Sequence, residues 1–319
     1  MDDRGRALVE LGEALREAGY EHVPVTPVTH ARVLARPRWS GCARTLRDVF
    51  GWSMAFEREG GPLPASMIAR LERAGALAIE EGTGRARSRV RFATVRGALH
   101  VHSAYPTSSV DSVFFGPDTY RFVALLDRTV TRARRAVDVG TGSGAGGLSI
   151  AARVDALVLA DVSDAALEAA QVNLALQPEV APERVSIVKS DVLSGIGAAE
   201  RGRGAPIDLV IANPPYMADS AGRSYRDGGG ELGTGLAVRI VSEALPLLAP
   251  GGRLVLYTGA PIVDGRDVLR EALRDVLAEA GGRASYEELD PDVFGEELEQ
   301  EAYRDVERIA AVALIVDRD

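Results

Sequence analysis

The spacing of apolar residues changes character near residue 110. Before that point they recur every three or four positions. Leu8, Leu11 and Leu15 predict a helix over 5–18 that Gly19 can stop, and shorter helical patterns follow around 45–50 and 64–74. Residues 76–81 and 85–93 flank Gly82-Thr83-Gly84 and read as a β-hairpin, and 98–104 reads as a further strand. A connecting segment, 111–134, places Phe122, Leu125 and Leu126 on one helical face behind a cap at Asp118 or Thr119.

From residue 135 onward short apolar runs alternate with helical patterns. Strands are predicted at 135–139, 156–160, 185–189, 208–212, 253–257, 284–289 and 309–316. Helices are predicted after Ser163 or Asp164, through Leu236, Ile240 and Ala244, and over 266–280, with Pro250-Gly251-Gly252 as a turn. Glu296, Glu297, Glu299 and Glu301 read as one solvated helix face. Strand and helix in alternation predict a doubly wound parallel sheet, whose ligands lie outside the carboxyl ends of its strands. Three divisions follow: 1–110 as a small α+β unit, 111–134 as a connecting lid, and 135–319 as the sheet domain. The helices and hairpin of the first resemble a winged-helix module.

Two predicted loops carry chemistry. Asp138-Val139-Gly140-Thr141-Gly142-Ser143-Gly144 joins a strand to a helix, and glycine there lets the backbone turn sharply and approach a ligand. The pattern Gly142-x-Gly144-x-x-Gly147 also satisfies the dinucleotide fingerprint, so a nicotinamide-dependent oxidoreductase is an open alternative at this point. Asp161 follows the second strand, 21 residues beyond Gly140, where a carboxylate reaches ribose hydroxyls of either adenosine cofactor. The second loop is Asn213-Pro214-Pro215-Tyr216 at the end of Asp208–Ala212. Two prolines hold Asn213 extended and leave carbonyls unpaired, so its amide oxygen and the Pro214 carbonyl can accept both hydrogens of an –NH2 group, with Tyr216 as a flat neighbour.

Asn213-Pro214-Pro215-Tyr216, roughly seventy residues after the glycine loop, resembles the Asn-Pro-Pro-Tyr motif of class I S-adenosylmethionine-dependent methyltransferases that act on amide or exocyclic amino nitrogen. It is most similar to the release-factor glutamine N5-methyltransferases. The resemblance covers about 185 residues and implies a Rossmann-like methyltransferase sheet with S-adenosyl-L-methionine as cofactor. On it, Asp138, Gly140, Thr141, Gly142 and Gly144 would hold the methionine part, and Asp161 with Val162 the ribose. Ser190, Asp191 and Val192 would take the adenine, and Asn213 to Tyr216 the acceptor nitrogen. Phe115, Pro117, Asp118 and Tyr120 stand where the family closes a segment over the cofactor, with linker and helix cap as the other reading. Tyr225 and Arg226 fall in a glycine-rich loop, 224–235, of the kind that recognises substrate. The chain departs from the glutamine family at its N-terminal part, in the lid, and at Tyr257-Thr258-Gly259, where that family commonly has a glutamate. The family match makes a protein or peptide glutamine the first acceptor, and these departures, which count against release factors, keep a nucleic-acid base or a small amine as alternatives.

Composition narrows the partners. Of 37 basic residues only Lys189 is lysine, so arginine number alone says little about function. Residues 1–110 carry 16 arginines and 12 acids, a net +4, whereas 111–319 carry 21 basic and 34 acidic residues, a net −13. An acidic catalytic part disfavours an extended nucleic-acid groove. Arg85, Arg87, Arg89 and Arg91 fall at period two, which would make one basic strand face, either a phosphate-touching wing or a solvated surface. His100 and His102 share a face too, but no neighbouring ligand cluster accompanies them and no metal is expected. One cysteine, Cys42, excludes an internal disulfide, no apolar run approaches membrane length, and the first residues lack signal-peptide character. These features lead us to expect a soluble cytoplasmic enzyme. Oligomeric state is not readable.

Overall fold

A computed structural model describes residues 1–105, 107, 109–196, 206–219, 222–223 and 225–319. The N-terminal part consists of α1 (Asp3–Glu17), α2 (Pro27–Leu34), α3 (Leu46–Phe50) and α4 (Ala65–Arg73), followed by β1 (Leu77–Ile79), β2 (Ala86–Ser88), β3 (Val90–Val95) and β4 (Ala98–Ser103). The Asp2 carboxylate caps α1 by accepting from Gly5 N, and Leu8, Leu11 and Leu15 turn inward as their spacing predicts.

The expected basic strand face does not form. The strand breaks at Arg89, so that β2 pairs with β1 while β3 pairs with β4. Arg85 pairs with Glu57, and Arg87 binds Glu80 and the Ser53 carbonyl. Arg91 is buried against His22, which leaves Arg89 as the exposed member of the four.

The larger part begins with α5 (Pro117–Thr129) and continues through β5 (Ala133–Val139), α6 (Ala145–Ile150), β6 (Val154–Asp161), α7 (Asp164–Ala175), β7 (Val185–Lys189) and β8 (Ile207–Ala212). It ends with α8 (Gly235–Ala244), β9 (Leu248–Val263), β10 (Arg266–Asp267), α9 (Val268–Ala280), β11 (Arg283–Asp290) and β12 (Arg308–Asp317). The main sheet runs β11-β12-β9-β8-β5-β6-β7. Its β7, β6, β5, β8 and β9 are parallel, and β12 enters antiparallel to both β9 and β11.

Strand periodicity sorts the core into two layers. Leu157, Leu159, Leu209, Ile211 and Val255 face α5 and α6, whereas Val137, Val139, Val158, Val210 and Leu256 face α8 and α9. Both faces are covered, which is why these strands read as continuous apolar runs. Pro250-Gly251-Gly252 is not a separate turn but lies inside β9, where the register against β8 shifts between Ile207 and Leu209.

α7 belongs to both parts. Ala170 packs under the sheet, while Val172 and Leu176 complete the N-terminal core. Gly12 of α1 gives room for this approach, since a Cβ there would lie 2.7 Å from the Leu176 side-chain tip and push it aside. The buried Asn173 amide accepts from Val101 N at 2.7 Å and donates to the Val101 and Ser143 carbonyls. It thereby links α7, β4 and the glycine loop.

Candidate active site

The carboxyl ends of β5, β6, β7 and β8 open on one cavity of about 240 Å3. After β5 the chain turns through Gly140 (φ 66°) and Gly142 (φ 54°), left-handed conformations that a side chain would strain. The wholly buried Asp138 carboxylate closes this turn: its Oδ2 accepts from Thr141 Oγ1 at 2.6 Å and from Gly147 N at 2.8 Å. Burial pushes its pKa up to about 7 against those two hydrogen bonds. At the end of β6, Asp161 accepts from Gly142 N and Ser163 N, each at 2.9 Å, and burial raises its pKa as well. With Val162 N as a third backbone donor, the Asp161 carboxylate retains acceptor capacity for one further donor.

After β7, Ser190 Oγ donates to the Val192 carbonyl and accepts from Gly195 N, which supports a tight turn with Val192 at φ 51°. Arg239 of α8 grips Asp191 with two bonds of 2.8 and 2.9 Å and holds its carboxyl below the usual range. That clamp was not foreseen from sequence, because the two residues are 48 positions apart.

After β8 come Asn213, Pro214, Pro215 and Tyr216. The Tyr216 ring lies against Gly259, where a Cβ would come within 2.2 Å of it. Its hydroxyl donates to Asp118 Oδ2 at 2.6 Å, and the Tyr257 hydroxyl donates to Asp118 Oδ1 at 2.8 Å. Arg121 adds a third bond to Asp118 at 3.1 Å and reaches Asp290. Asp118, a helix cap by sequence, is therefore the buried anchor that joins α5, β9 and the Asn-Pro-Pro-Tyr loop. Burial drives both tyrosine pKa values upward, and the adjacent Asp118 adds to the shift, so both hydroxyls remain donors.

The loop beyond Tyr216 is stitched by Met217 N to the Arg226 carbonyl and by Gly228 N to the Met217 carbonyl. Tyr225 donates to the Thr107 carbonyl across the mouth, and Arg226 binds Glu297. Glu297 is buried, a correction to the predicted solvated face: 295–299 and 301–303 form short 3-10 turns, and this carboxylate faces inward to Arg226 and Gln300. Ser224 of the glycine-rich loop lies outside the described residues.

The cavity wall brings together Asp138, Gly140, Thr141, Gly142, Asp161, Val162, Ser190, Asp191, Val192, Asn213 to Tyr216, Asp118, Tyr225 and Arg226. Gly144, Phe115, Pro117 and Tyr120 are not on it. Gly144 caps α6, Pro117 opens α5, Phe115 packs on His100 and His102, and the Tyr120 hydroxyl donates to Thr94 O. Val113, Phe114, Thr119, Phe122 and Phe294 line the wall instead; of these the sequence marks only Thr119, as a cap, and Phe122, as an inward helix position. His100 and His102 are buried, and among the described residues no group of three or more His, Cys, Asp or Glu could hold a metal. None of the described helices is long and apolar enough to cross a membrane.

The fold is that of the S-adenosylmethionine-dependent methyltransferase class. Residues 118–281, about half of the chain, match the methyltransferase small domain family, and the chain belongs to that family. The match places it on the methyl-transfer side of the two adenosine-cofactor readings. Among curated proteins it is 36% identical over 145 residues to the tRNA1(Val) (adenine(37)-N6)-methyltransferase of Aeromonas hydrophila, covering 42% of this chain and 56% of that one. It is 29% identical over 225 residues to the release factor glutamine methyltransferase of Deinococcus radiodurans, covering 66% and 73%. The enzyme of the same name from Moorella thermoacetica is 34% identical over 183 residues, covering 52% and 58%. The chain thus spans little more than half of the first and third relatives and about three quarters of the second.

Proposed function

We propose that this chain methylates a planar amide nitrogen, with a glutamine side chain of a polypeptide as acceptor. The observation that carries the reading is the placement of Asn213-Pro214-Pro215-Tyr216 on the same cavity as Asp138 and Asp161. S-adenosylmethionine, when bound, supplies a methyl group on a sulfonium. The residues present suit it: glycine backbone without Cβ atoms, a carboxylate for ribose hydroxyls at Asp161, and a buried carboxyl at Asp138 that a nearby cation would help to ionise.

The Asn213 amide oxygen and the Pro214 carbonyl would accept the two N–H groups of the acceptor and fix its nitrogen lone pair toward the methyl carbon. As the N–C bond formed and the methyl–sulfur bond of the sulfonium broke to leave a neutral thioether, positive charge would pass to nitrogen and those two oxygens would stabilise it. One N–H proton then leaves to water. Tyr216, tied to Asp118, would keep the loop from shifting during the step. The acidic catalytic part and the absence of the expected arginine face support polypeptide over nucleic acid. The 36% identity to an adenine N6-methyltransferase favours the second reading, the amino group of a base.

Incubation with methyl-labelled donor and, separately, purified release factors and tRNA decides between them. Label on glutamine of a release factor, lost at least ~100-fold in Asn213→Ala, is expected. Label on tRNA adenine selects the second reading, and label on neither overturns both.

A further inference from the structure

Outside residues 22–47 most exposed arginines face a carboxylate, as Arg58 does Glu72, Arg73 Glu10, Arg134 Asp208 and Arg304 Glu301. The stretch from His22 to Arg47 is different. It holds Arg32, Arg36, Arg38, Arg44 and Arg47 and no Asp or Glu. All five are exposed, and among the described residues none forms an ion pair with a carboxylate. Asp48, the next acid along the chain, is taken up in capping α3, its Oδ2 accepting from Arg44 N and Thr45 N. The protein thus leaves this charge uncompensated, which arginine number alone could not show.

Aromatic rings tie these arginines together. Arg36 and Arg38 flank Pro37 in the turn after α2, and Arg38 lies over the half-buried Trp39 ring at 4.9 Å. Trp39 meets Trp52 at 5.1 Å, and Trp52 N donates to the Arg47 carbonyl of α3. The same rings lead to the mouth of the candidate site. Trp52 stacks on His30 at 5.4 Å, His30 meets Tyr105 at 4.5 Å, and the Thr107 carbonyl accepts from Tyr225 on the cavity wall. The positive charge stops short of that mouth. Residues 105–112 and 225–235 carry Asp111, Asp227 and Glu231 and a single arginine, Arg226, which Glu297 holds.

We infer that the α2–α3 surface docks an acidic segment of the polypeptide substrate, set apart from the acceptor residue by several uncharged ones. The choice of polypeptide rests on the function proposed above. Each guanidinium can pair a carboxylate through two parallel bonds, and arginine beside tryptophan is the combination that dominates protein interfaces. A nucleic-acid backbone carries a charge at every step and would need cations along the whole track into the cavity. A segment whose charge ends before its acceptor fits a basic surface that gives way to an acidic mouth.

The test measures fluorescence anisotropy of three labelled probes with the full chain at low salt. One is a peptide with a single glutamine and a run of glutamates about eight residues from it, the second has serine for each glutamate, and the third is an oligouridylate of matching charge. The glutamate peptide should bind at least about tenfold tighter than the serine peptide, and rising salt should erase the difference. Arg36→Gln with Arg38→Gln should remove that preference. Arg270→Gln with Arg274→Gln, two exposed arginines of α9 that also lack a carboxylate partner, should keep it. Equal binding of the two peptides, an unchanged preference in the first variant, or tighter binding of the oligouridylate would each overturn the inference. Binding alone decides it, whereas methyl label on release factors or tRNA decides the acceptor, so the two readings fail separately.

Discussion

Asp138 shows what the linear pattern conceals at the level of one residue. Its place at a strand end marks it for the cofactor loop, but only the fold shows it wholly buried, with a carboxyl that titrates near neutrality. The sign of the consequence is fixed. A folded-state pKa raised from 3.8 means that ligand-free protein holds a proton the unfolded chain has released, so this group's contribution to stability falls as pH rises from about 4 through about 7. Ligand that carries the amino acid's ammonium favours the ionised form, so S-adenosylmethionine binding should tighten between pH 6 and 8, by up to about tenfold for each unit below the pKa. Calorimetry across that range should show the rise in wild type and not in Asp138→Asn. Asp118 and Arg239 were less legible. The first reads as a lid residue or a cap and the second as one arginine among many, because their partners stand 98 and 48 residues away.

At the scale of elements the apolar runs located β5 to β9, β11 and β12, most of them buried, but not β10, whose Arg266 and Asp267 read as the start of a helix. Bounds were another matter. β9 extends to Val263, past the predicted end at Tyr257, and it is this extension that brings Gly259 under the Tyr216 ring. The arginine alternation misled because period two was assumed to continue through Arg89, where pairing passes from one short sheet to another. Gly259→Ala tests the contact between β9 and the loop. Its Cβ would meet a ring that Asp118 holds in place, so overpacking should cost roughly 1–3 kcal/mol and lower the melting temperature by several degrees. An unchanged melting temperature would mean that the loop moves freely off the strand.

Across the whole molecule the N-terminal part was the least legible, because its core is completed by Val172 and Leu176 from α7, far away in sequence. It also holds all four histidines, each buried. Burial lowers the pKa of His22 to about 3, of His30 to about 4 and of His100 to about 4, from 6.5. These depressed values contribute stability that is present above about 6.5 and is lost progressively as pH falls toward 4. Both tryptophans, Trp39 and Trp52, sit beside this cluster, His30 stacking on Trp52 at 5.4 Å. Tryptophan fluorescence should therefore report acid loosening of this part between pH 6.5 and 4, and a flat signal there would show the histidines to be accessible.

The central claim is that one cavity at the ends of β5, β6, β7 and β8 takes S-adenosylmethionine, with Asp161 at its ribose. Titration calorimetry of S-adenosylmethionine into wild type and Asp161→Ala at pH 8 tests it most directly. Micromolar binding in wild type, weakened at least about tenfold by the substitution, is the predicted result. A folded wild type that gives no heat, or a variant that binds as tightly as wild type, would contradict it.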